Sequence, residues 1–197
     1  SPDLDEVKEI LNDIVKENTR ASEVINRLRA LLKKEKMEFE PIDLNEIFRE
    51  VVTLLKSDAA RRDTKVSLEL DAGLPAVQGD RIQLQQVALN LLLNAFEAMK
   101  ECQGLERGVL IRAWQKDSEI LAAVTDSGKG IPAGETEKIF KAFYTTKPQG
   151  LGMGLSICRS IINNHQGRLW AENNPDRGAT FYFCLPAPID KNIQRPA

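Results

Sequence analysis

The sequence predicts an α+β fold, a two-layer α/β sandwich in which helices cover one face of a mixed, mostly antiparallel sheet, preceded by a long bundle or coiled-coil helix. Residues 3–36 repeat apolar side chains at heptad spacing without Gly or Pro, and alternating strands and helices follow. We therefore expect a helical element at 1–40, an α+β domain at 41–187 and a flexible tail at 188–197.

The heptad segment has apolar residues at alternating spacings of three and four. These a and d positions are Leu4, Val7, Leu11, Ile14, Asn18, Ala21, Ile25, Leu28 and Leu32. A stripe this narrow, sustained over more than four heptads, is typical of a coiled coil or helical bundle, and Asn18 is a polar interruption of the kind that fixes register. The alternative is an ordinary amphipathic helix packed on its own domain.

The α+β domain begins where Pro41 ends the first helix. Asp43 and Glu46 have the spacing of an N-cap and its reciprocal partner, which predicts a helix over about 43–62. TKVSLELD at 64–71 alternates with period two and predicts a strand.

The longest apolar helix is predicted from Asp80 to about Lys100, with Asp80 as N-cap and Gln83 completing a capping box. After it, VLIRAWQK (109–116) and EILAAVTD (119–126) flank a short polar turn and predict a hairpin. A helix over about 152–164 and two closing strands, GRLWAEN and ATFYFCLP, complete the domain.

The overall composition excludes several classes of function. A net charge of −2 and a pI near 5.6 give no electrostatic argument for nucleic acid or an anionic membrane. Three scattered cysteines fit reduced thiols in the cytoplasm, and no run of 18 apolar residues or signal peptide appears. We expect a cytoplasmic segment without direct membrane contact, from a parent that could carry a sensor or membrane anchor.

Two asparagines in the longest helix need an explanation. Asn90 and Asn94 stand one turn apart in VALNLLLNAFEAM, so their side chains point the same way. An unpaired amide in an apolar environment costs roughly 1–3 kcal/mol. Either both amides satisfy backbone groups within a core, or they serve a site.

Two glycine-bearing loops, DSGKGI at 126–131 and GLGMGLS at 150–156, are candidates for binding chemistry. Glycines at a helix N-terminus let backbone N–H groups approach an anion, and the helix dipole favours negative charge there. An ionised Asp126 accepts but does not donate hydrogen bonds, so it could select an adenine amino group. Ordinary glycine turns are the alternative, and neither a P-loop nor a Rossmann fingerprint is present.

The order of these motifs resembles the ATP-binding domain shared by gyrase, the ninety-kilodalton heat-shock chaperone, sensor histidine kinases and MutL, which has the Bergerat-type fold. The resemblance is to sensor histidine kinases, and within them to the oxygen-sensing and nitrogen-regulatory subgroup. The matching segments are the N box at 80–99, the first glycine box at 126–131, the F box FKAFYTTK at 140–147 and the second glycine box at 150–167.

The resemblance implies ATP and Mg²⁺ as cofactors and gives the asparagines a role. Asn94 would supply an amide oxygen to Mg²⁺, and Asn90 would help hold the metal and its waters. Asn90 is a poor base, which favours transfer to a side chain over hydrolysis. Glu97 stands where many of these kinases carry a Lys or Arg, which leaves Lys147 as the expected phosphate-neutralising cation.

The resemblance also assigns the remaining site residues. Asp126 would bind the adenine amine, and Thr180 would support it from the neighbouring strand. The adenine pocket wall would be formed by Gly128, Gly130 and Ile131. The phosphates would meet the second glycine box, at Gly150, Leu151, Gly152, Met153, Gly154 and Leu155.

A histidine kinase needs a phosphoacceptor histidine, and the single histidine, His165, lies at the end of the last helix rather than in a bundle. Residues 3–36 resemble the second of two bundle helices, so we expect the acceptor on a helix absent from this chain, no autophosphorylation and a homodimer through the bundle. The expected partner is a response-regulator receiver domain. The alternatives are an anti-sigma-factor-type serine kinase and a non-catalytic nucleotide-binding or dimerisation module.

Overall fold

The computed structural model describes residues 38–102, 105–146 and 151–188. The chain divides into two units, Ser1–Lys36 and Met37–Ala197, and every described residue belongs to the second. The predicted heptad helix and nearly all of the predicted tail lie outside the described residues, so those assignments stay predictions.

The described part contains both strands and helices. In chain order its elements are β1 (Glu40–Ile42), α1 (Leu44–Leu54), α2 (Lys56–Arg61), β2 (Thr64–Leu70), β3 (Val77–Gly79), α3 (Arg81–Ala98), β4 (Arg107–Lys116), β5 (Glu119–Asp126), a 3₁₀ turn (Lys138–Phe140), α4 (Gly154–Asn164), β6 (Arg168–Asn173) and β7 (Ala179–Pro186). Five strands form one sheet in the order β2-β4-β5-β7-β6. Among the described strands only β2 and β4 pair in parallel, which confirms a mixed, mostly antiparallel sheet.

The predicted hairpin is confirmed, and its register sets the two faces of the sheet. Strands β4 and β5 pair from Val109↔Asp126 to Lys116↔Glu119 across a two-residue turn. Ile120, Ala122 and Val124 alternate along β5 and are buried in the core with residues of α1, α3 and α4. Burying each large apolar side chain contributes roughly 1.5–3 kcal/mol, so the core between the sheet and these helices supplies most of the driving force for folding.

Helix α3 is the central element of the helical layer. Of its 18 residues only Ile82 is exposed, as expected for a helix that is apolar on most faces. Asp80 caps it, because its Oδ1 accepts from the Gln83 N–H at 3.1 Å. The predicted reciprocal bond from Gln83 is wrong: the Gln83 Oε1 is buried without a partner, and the Asp80 N–H donates to Nε2 of His165 at 2.9 Å.

The helix predicted over 43–62 is interrupted at Leu55, where α1 ends and α2 begins. Its cap is as expected, because Oδ1 of Asp43 accepts from the Asn45 and Glu46 N–H groups. Near the interruption, the Thr53 hydroxyl donates to the Arg49 carbonyl at 2.8 Å. Such a bond back to the i−4 carbonyl bends helices, which accounts for two short helices in place of one.

The short strands β1 and β3 were not predicted from the sequence. They form an isolated antiparallel pair in which Pro41 lies opposite Gln78. Proline is tolerated in such an edge pair because its missing N–H can face away from the partner strand. Among the described helices, none is long and apolar enough to cross a bilayer.

Candidate functional site

The N-terminus of α4 lies against the asparagine face of α3. A Cβ atom placed on Gly154, the first residue of α4, would lie 4.0 Å from Oδ1 of Asn90. Asn90 also forms a side-chain hydrogen bond with Cys158, one turn further along α4. Burial raises the pKa of the Cys158 thiol to about 12, and the bond to Asn90 offsets part of that rise. Asn94 lies one turn beyond Asn90 on the same face of α3.

The first turn of α4 offers backbone N–H groups that could bind an anion. Within the described residues, no side chain caps this helix, and its first turn contains no acidic residue. Gly152 precedes it with φ +64°, and a Cβ there would lie 2.4 Å from the Tyr144 carbonyl oxygen. Only glycine fits this approach, so the loop brings Leu151 to Leu155 directly into the helix start.

Lys147 and Gly150, two of the predicted phosphate-binding residues, lie outside the described residues. Just before them, Phe140 is buried edge-on against Phe181, with ring centroids 6.4 Å apart. Tyr144 donates its hydroxyl hydrogen to Glu135. The described part of the F box is thus anchored at Phe140 and Tyr144, whereas Phe143 between them is 74 % exposed.

Asp126 ends β5 as a buried carboxylate, 3 % exposed. Its Oδ1 accepts from the N–H groups of Gly128 at 2.8 Å and Ala179 at 3.4 Å. Burial raises the pKa of Asp126, and these two hydrogen bonds compensate only in part. Both of these bonds engage Oδ1, and among the described residues no bond to Oδ2 is found.

The first glycine box is held by close backbone approaches. A Cβ on Gly128 would lie 2.7 Å from the Ala98 carbonyl oxygen at the end of α3. Gly130 has φ +74°. The next residue, Ile131, exchanges two hydrogen bonds with the Asn173 amide, one from its N–H at 2.7 Å and one to its carbonyl at 2.8 Å.

Thr180 reaches Asp126 by an indirect route. Its hydroxyl donates to Oδ1 of Asn174 at 2.7 Å and lies 2.9 Å from the Thr125 hydroxyl. Asn174 in turn donates to the main-chain carbonyl of Asp126 at 3.0 Å. Successive strand residues face opposite sides of a sheet, so the Thr180 side chain lies on the face away from Asp126, and Ala179 approaches the carboxylate.

Sequence reasoning did not identify three residues that build this site: Asn173, Asn174 and Gly178. A Cβ on Gly178 would lie 2.0 Å from the Asp126 carbonyl oxygen, so this loop can approach β5 only with glycine there. The turn-forming composition of ENNPDRG was a visible signal, but the contacts it makes span more than forty residues of sequence and could not be read locally.

Comparisons with known proteins agree with this architecture. The family described as "Histidine kinase-, DNA gyrase B-, and HSP90-like ATPase" matches residues 79–189, more than half of the chain. The chain belongs to this family, as the ATP-binding catalytic domain of the sensor histidine kinase type. The predicted family and the predicted α+β fold of the domain are confirmed, and the preceding bundle helix stays a prediction.

The chain is similar to several sensor kinases. The chain is 38 % identical to sensor histidine kinase TmoS of Ectopseudomonas mendocina over 94 % of the chain and 19 % of that protein. It is 38 % identical to sensor protein FixL of Bradyrhizobium diazoefficiens over 97 % of the chain and 37 % of that protein. The chain thus spans between about a fifth and two fifths of these relatives.

Among solved structures, the catalytic domain of histidine kinase ThkA superposes with a TM-score of 0.69 at 38 % identity, covering 76 % of this chain and 96 % of that one. ThkA in complex with response regulator protein TrrA superposes with a TM-score of 0.72 at 32 % identity, covering 94 % of this chain and 52 % of that one.

Proposed function

We propose that this chain is the catalytic part of a sensor histidine kinase, transferring the γ-phosphoryl group of ATP to a histidine on a helix outside this chain. The observation that carries the proposal is the junction of α3 and α4. There the Asn90 amide meets a helix N-terminus that no described side chain caps. Phosphoryl transfer depends mainly on positioning and charge stabilisation, and this junction offers groups for both.

Asp126 is the proposed adenine-binding residue. Its Oδ1 is engaged by backbone N–H groups, which leaves Oδ2 to accept a hydrogen bond from the adenine amino group. A guanine oxygen at that position would face a carboxylate oxygen with no hydrogen between them. The site should therefore bind ATP in preference to GTP, with Gly128, Gly130 and Ile131 forming the pocket wall.

The donor set near Asn90 and Asn94 fits Mg²⁺. Hard cations prefer oxygen ligands, and Mg²⁺ usually keeps several waters and binds phosphate oxygens with few protein ligands. Asn94 would supply the direct oxygen, and Asn90 would hold the metal's waters. The metal, when bound, neutralises phosphate charge. The N–H groups of Gly152 to Leu155 would hold the phosphate oxygens beside it, with Gly150 and Lys147 completing the phosphate site.

The acceptor is proposed to lie elsewhere because His165, the single histidine, is 2 % exposed with both ring nitrogens hydrogen-bonded. The heptad pattern of residues 3–36 supports a homodimer through a helical bundle, and the complex of ThkA with TrrA supports a receiver domain as the partner. Sedimentation equilibrium should give a dimer, and a strict monomer would contradict this part of the proposal.

Calorimetric titration with ATP and GTP, each with and without Mg²⁺, tests the nucleotide site. We expect adenine-selective binding that Mg²⁺ strengthens, and equal affinity for the two nucleotides would refute the role of Asp126.

Incubation with radiolabelled ATP tests the acceptor assignment. No acid-labile phosphohistidine should form on this chain, and its appearance at His165 would overturn that assignment.

A further inference from the structure

We propose that His165 is a positioning residue for the nucleotide site, because it fixes the register of α3 against α4 from the end of the helices opposite the phosphates. This inference rests on the proposed Mg²⁺-ATP binding. The ring lies at the last turn of α4, and its two nitrogens bind different helices. Nδ1 lies 2.8 Å from the Ile161 carbonyl oxygen in α4, and Nε2 accepts from the Asp80 N–H at the start of α3.

The two hydrogen bonds require one tautomer of the ring. A carbonyl oxygen can only accept, so Nδ1 carries the proton, and Nε2 is left with the lone pair that the Asp80 N–H needs. The surroundings are shaped around this ring. A Cβ on Gly79 would lie 2.8 Å from its Cδ2 atom, and the Phe39 ring packs with a centroid separation of 5.0 Å.

A second polar link joins the same helices near the site. Asn90, ten residues after Asp80, bonds with Cys158, seven residues before His165. The start of α3 therefore meets the end of α4, and the asparagine face of α3 meets the start of α4, so the helices are antiparallel. Ten helical residues span about 15 Å, which separates the two links along α3.

Register matters here because the two halves of the proposed phosphate site lie on different helices. Asn94 belongs to α3, whereas the N–H groups at Gly154 and Leu155 belong to α4. Apolar side chains between helices tolerate small sliding movements, but a hydrogen bond weakens steeply as it lengthens or bends. A shift of the helices would move the Mg²⁺ ligand relative to the phosphate donors. A movement of α4 along α3 would leave Asp126 in place, because its carboxylate accepts from Gly128, which packs on the end of α3, and from Ala179 of β7.

A matched pair of variants separates positioning from local stability. His165→Asn keeps an amide N–H near the position of Nδ1 but has no atom at Nε2. His165→Gln instead places an amide oxygen near the position of Nε2, where it can accept from Asp80. We expect His165→Asn to weaken Mg²⁺-ATP binding about fivefold to tenfold and His165→Gln to stay within about twofold of the unsubstituted chain. Adenosine affinity should not change in either variant.

Calorimetric titrations of the three proteins with Mg²⁺-ATP and with adenosine measure both effects. Equal Mg²⁺-ATP affinity in the two variants, or parallel weakening of adenosine and Mg²⁺-ATP, would overturn the proposal. Nitrogen NMR of the unsubstituted chain tests it without any variant, since a neutral ring protonated at Nε2 excludes the bond from Asp80. If the unsubstituted chain fails to bind Mg²⁺-ATP, the proposed function fails. The tautomer measurement still reports separately on the link between the helices.

Discussion

Replacing Asp126 by asparagine should strengthen the nucleotide-free fold and weaken ATP binding at the same time. The substitution preserves shape, and the remaining amide oxygen can still accept from the Gly128 and Ala179 N–H groups. Two properties change: the buried negative charge disappears, and Oδ2, the oxygen proposed to bind adenine, becomes an NH₂ donor.

The effect on stability follows from the direction of the pKa shift. Burial raises the pKa of Asp126 above its value in the unfolded chain. The folded state therefore binds the proton more tightly, and stability falls as pH rises from the unfolded value through the raised one. The neutral variant escapes this loss and should be more stable at pH 7 by roughly 0.5–2 kcal/mol, the usual gain from relieving a functional site. The difference in stability between the variant and the unsubstituted chain should disappear at pH values below the pKa of an ordinary aspartate.

The effect on affinity follows from the lost acceptor. A hydrogen bond to a charged group contributes roughly 1.5–3 kcal/mol, so the variant should bind ATP roughly 10- to 150-fold more weakly. Calorimetric titration measures the affinity, and thermal unfolding between pH 3.5 and about 8 measures the stability. Asp117→Asn is the matched control, since it makes the same chemical change on the exposed β4–β5 turn.

The Asp126→Asn substitution should therefore raise the stability of the fold and lower its affinity for ATP. An Asp126→Asn variant that is less stable than the unsubstituted chain at pH 7 would show that the charge is better compensated than its burial indicates. Normal ATP affinity in that variant would refute the adenine contact, whatever the stability.

Three further outcomes are expected. As the pH is lowered, ATP binding should weaken at pH values higher than those at which an ordinary aspartate titrates, because the pKa of Asp126 is raised and the domain is still folded there. ATP titrations at a series of pH values measure this effect. In native protein at pH 8, a thiol reagent should label the half-buried Cys102 before Cys158, whose pKa is about 12 and whose thiol is buried, and peptide mass spectrometry identifies the site. Gly128→Ala should cost about 1–3 kcal/mol and weaken ATP binding, since its Cβ would lie 2.7 Å from the Ala98 carbonyl oxygen, and denaturant unfolding with ATP titration tests both effects.

The elements that could be predicted are those with a local physical cause. Apolar spacing and the Asp80 cap identify α3, and alternation on both sides of a two-residue turn identifies the β4–β5 hairpin. Strands β1 and β3 have three residues each, too few for alternation to be recognised. The break at Leu55 depends on a side chain bonding its own helix, which a hydrophobic pattern does not record.

The residues of the candidate site likewise fall into two groups: those that the sequence identifies and those that only the fold brings to the site. The glycine boxes and Asp126 stand out because their residue types are unusual for a strand end or a helix start. The groups that hold them, Asn173 and Asn174, resemble ordinary turn residues until the fold brings them to the first glycine box. Similarly, Gln83 has the spacing of a capping-box partner for Asp80. In the structure, however, the Asp80 N–H donates to His165, which lies 82 residues after Gln83.

At Glu97, where many of these kinases carry a Lys or Arg, a long-range contact changes the interpretation that the sequence alone suggests. From the sequence, a carboxylate where many of these kinases carry a cation would repel phosphates. In the structure, Glu97 accepts from Nη1 of Arg62 at 2.9 Å, and Arg62 also pairs with Asp58 and lies over the Phe96 ring. The pair is about two-thirds buried on each side, so solvent screens it less than a surface ion pair. The carboxylate is therefore already neutralised by its own domain. In the proposed site, phosphate charge is then met by the α4 N-terminus, Mg²⁺ and Lys147.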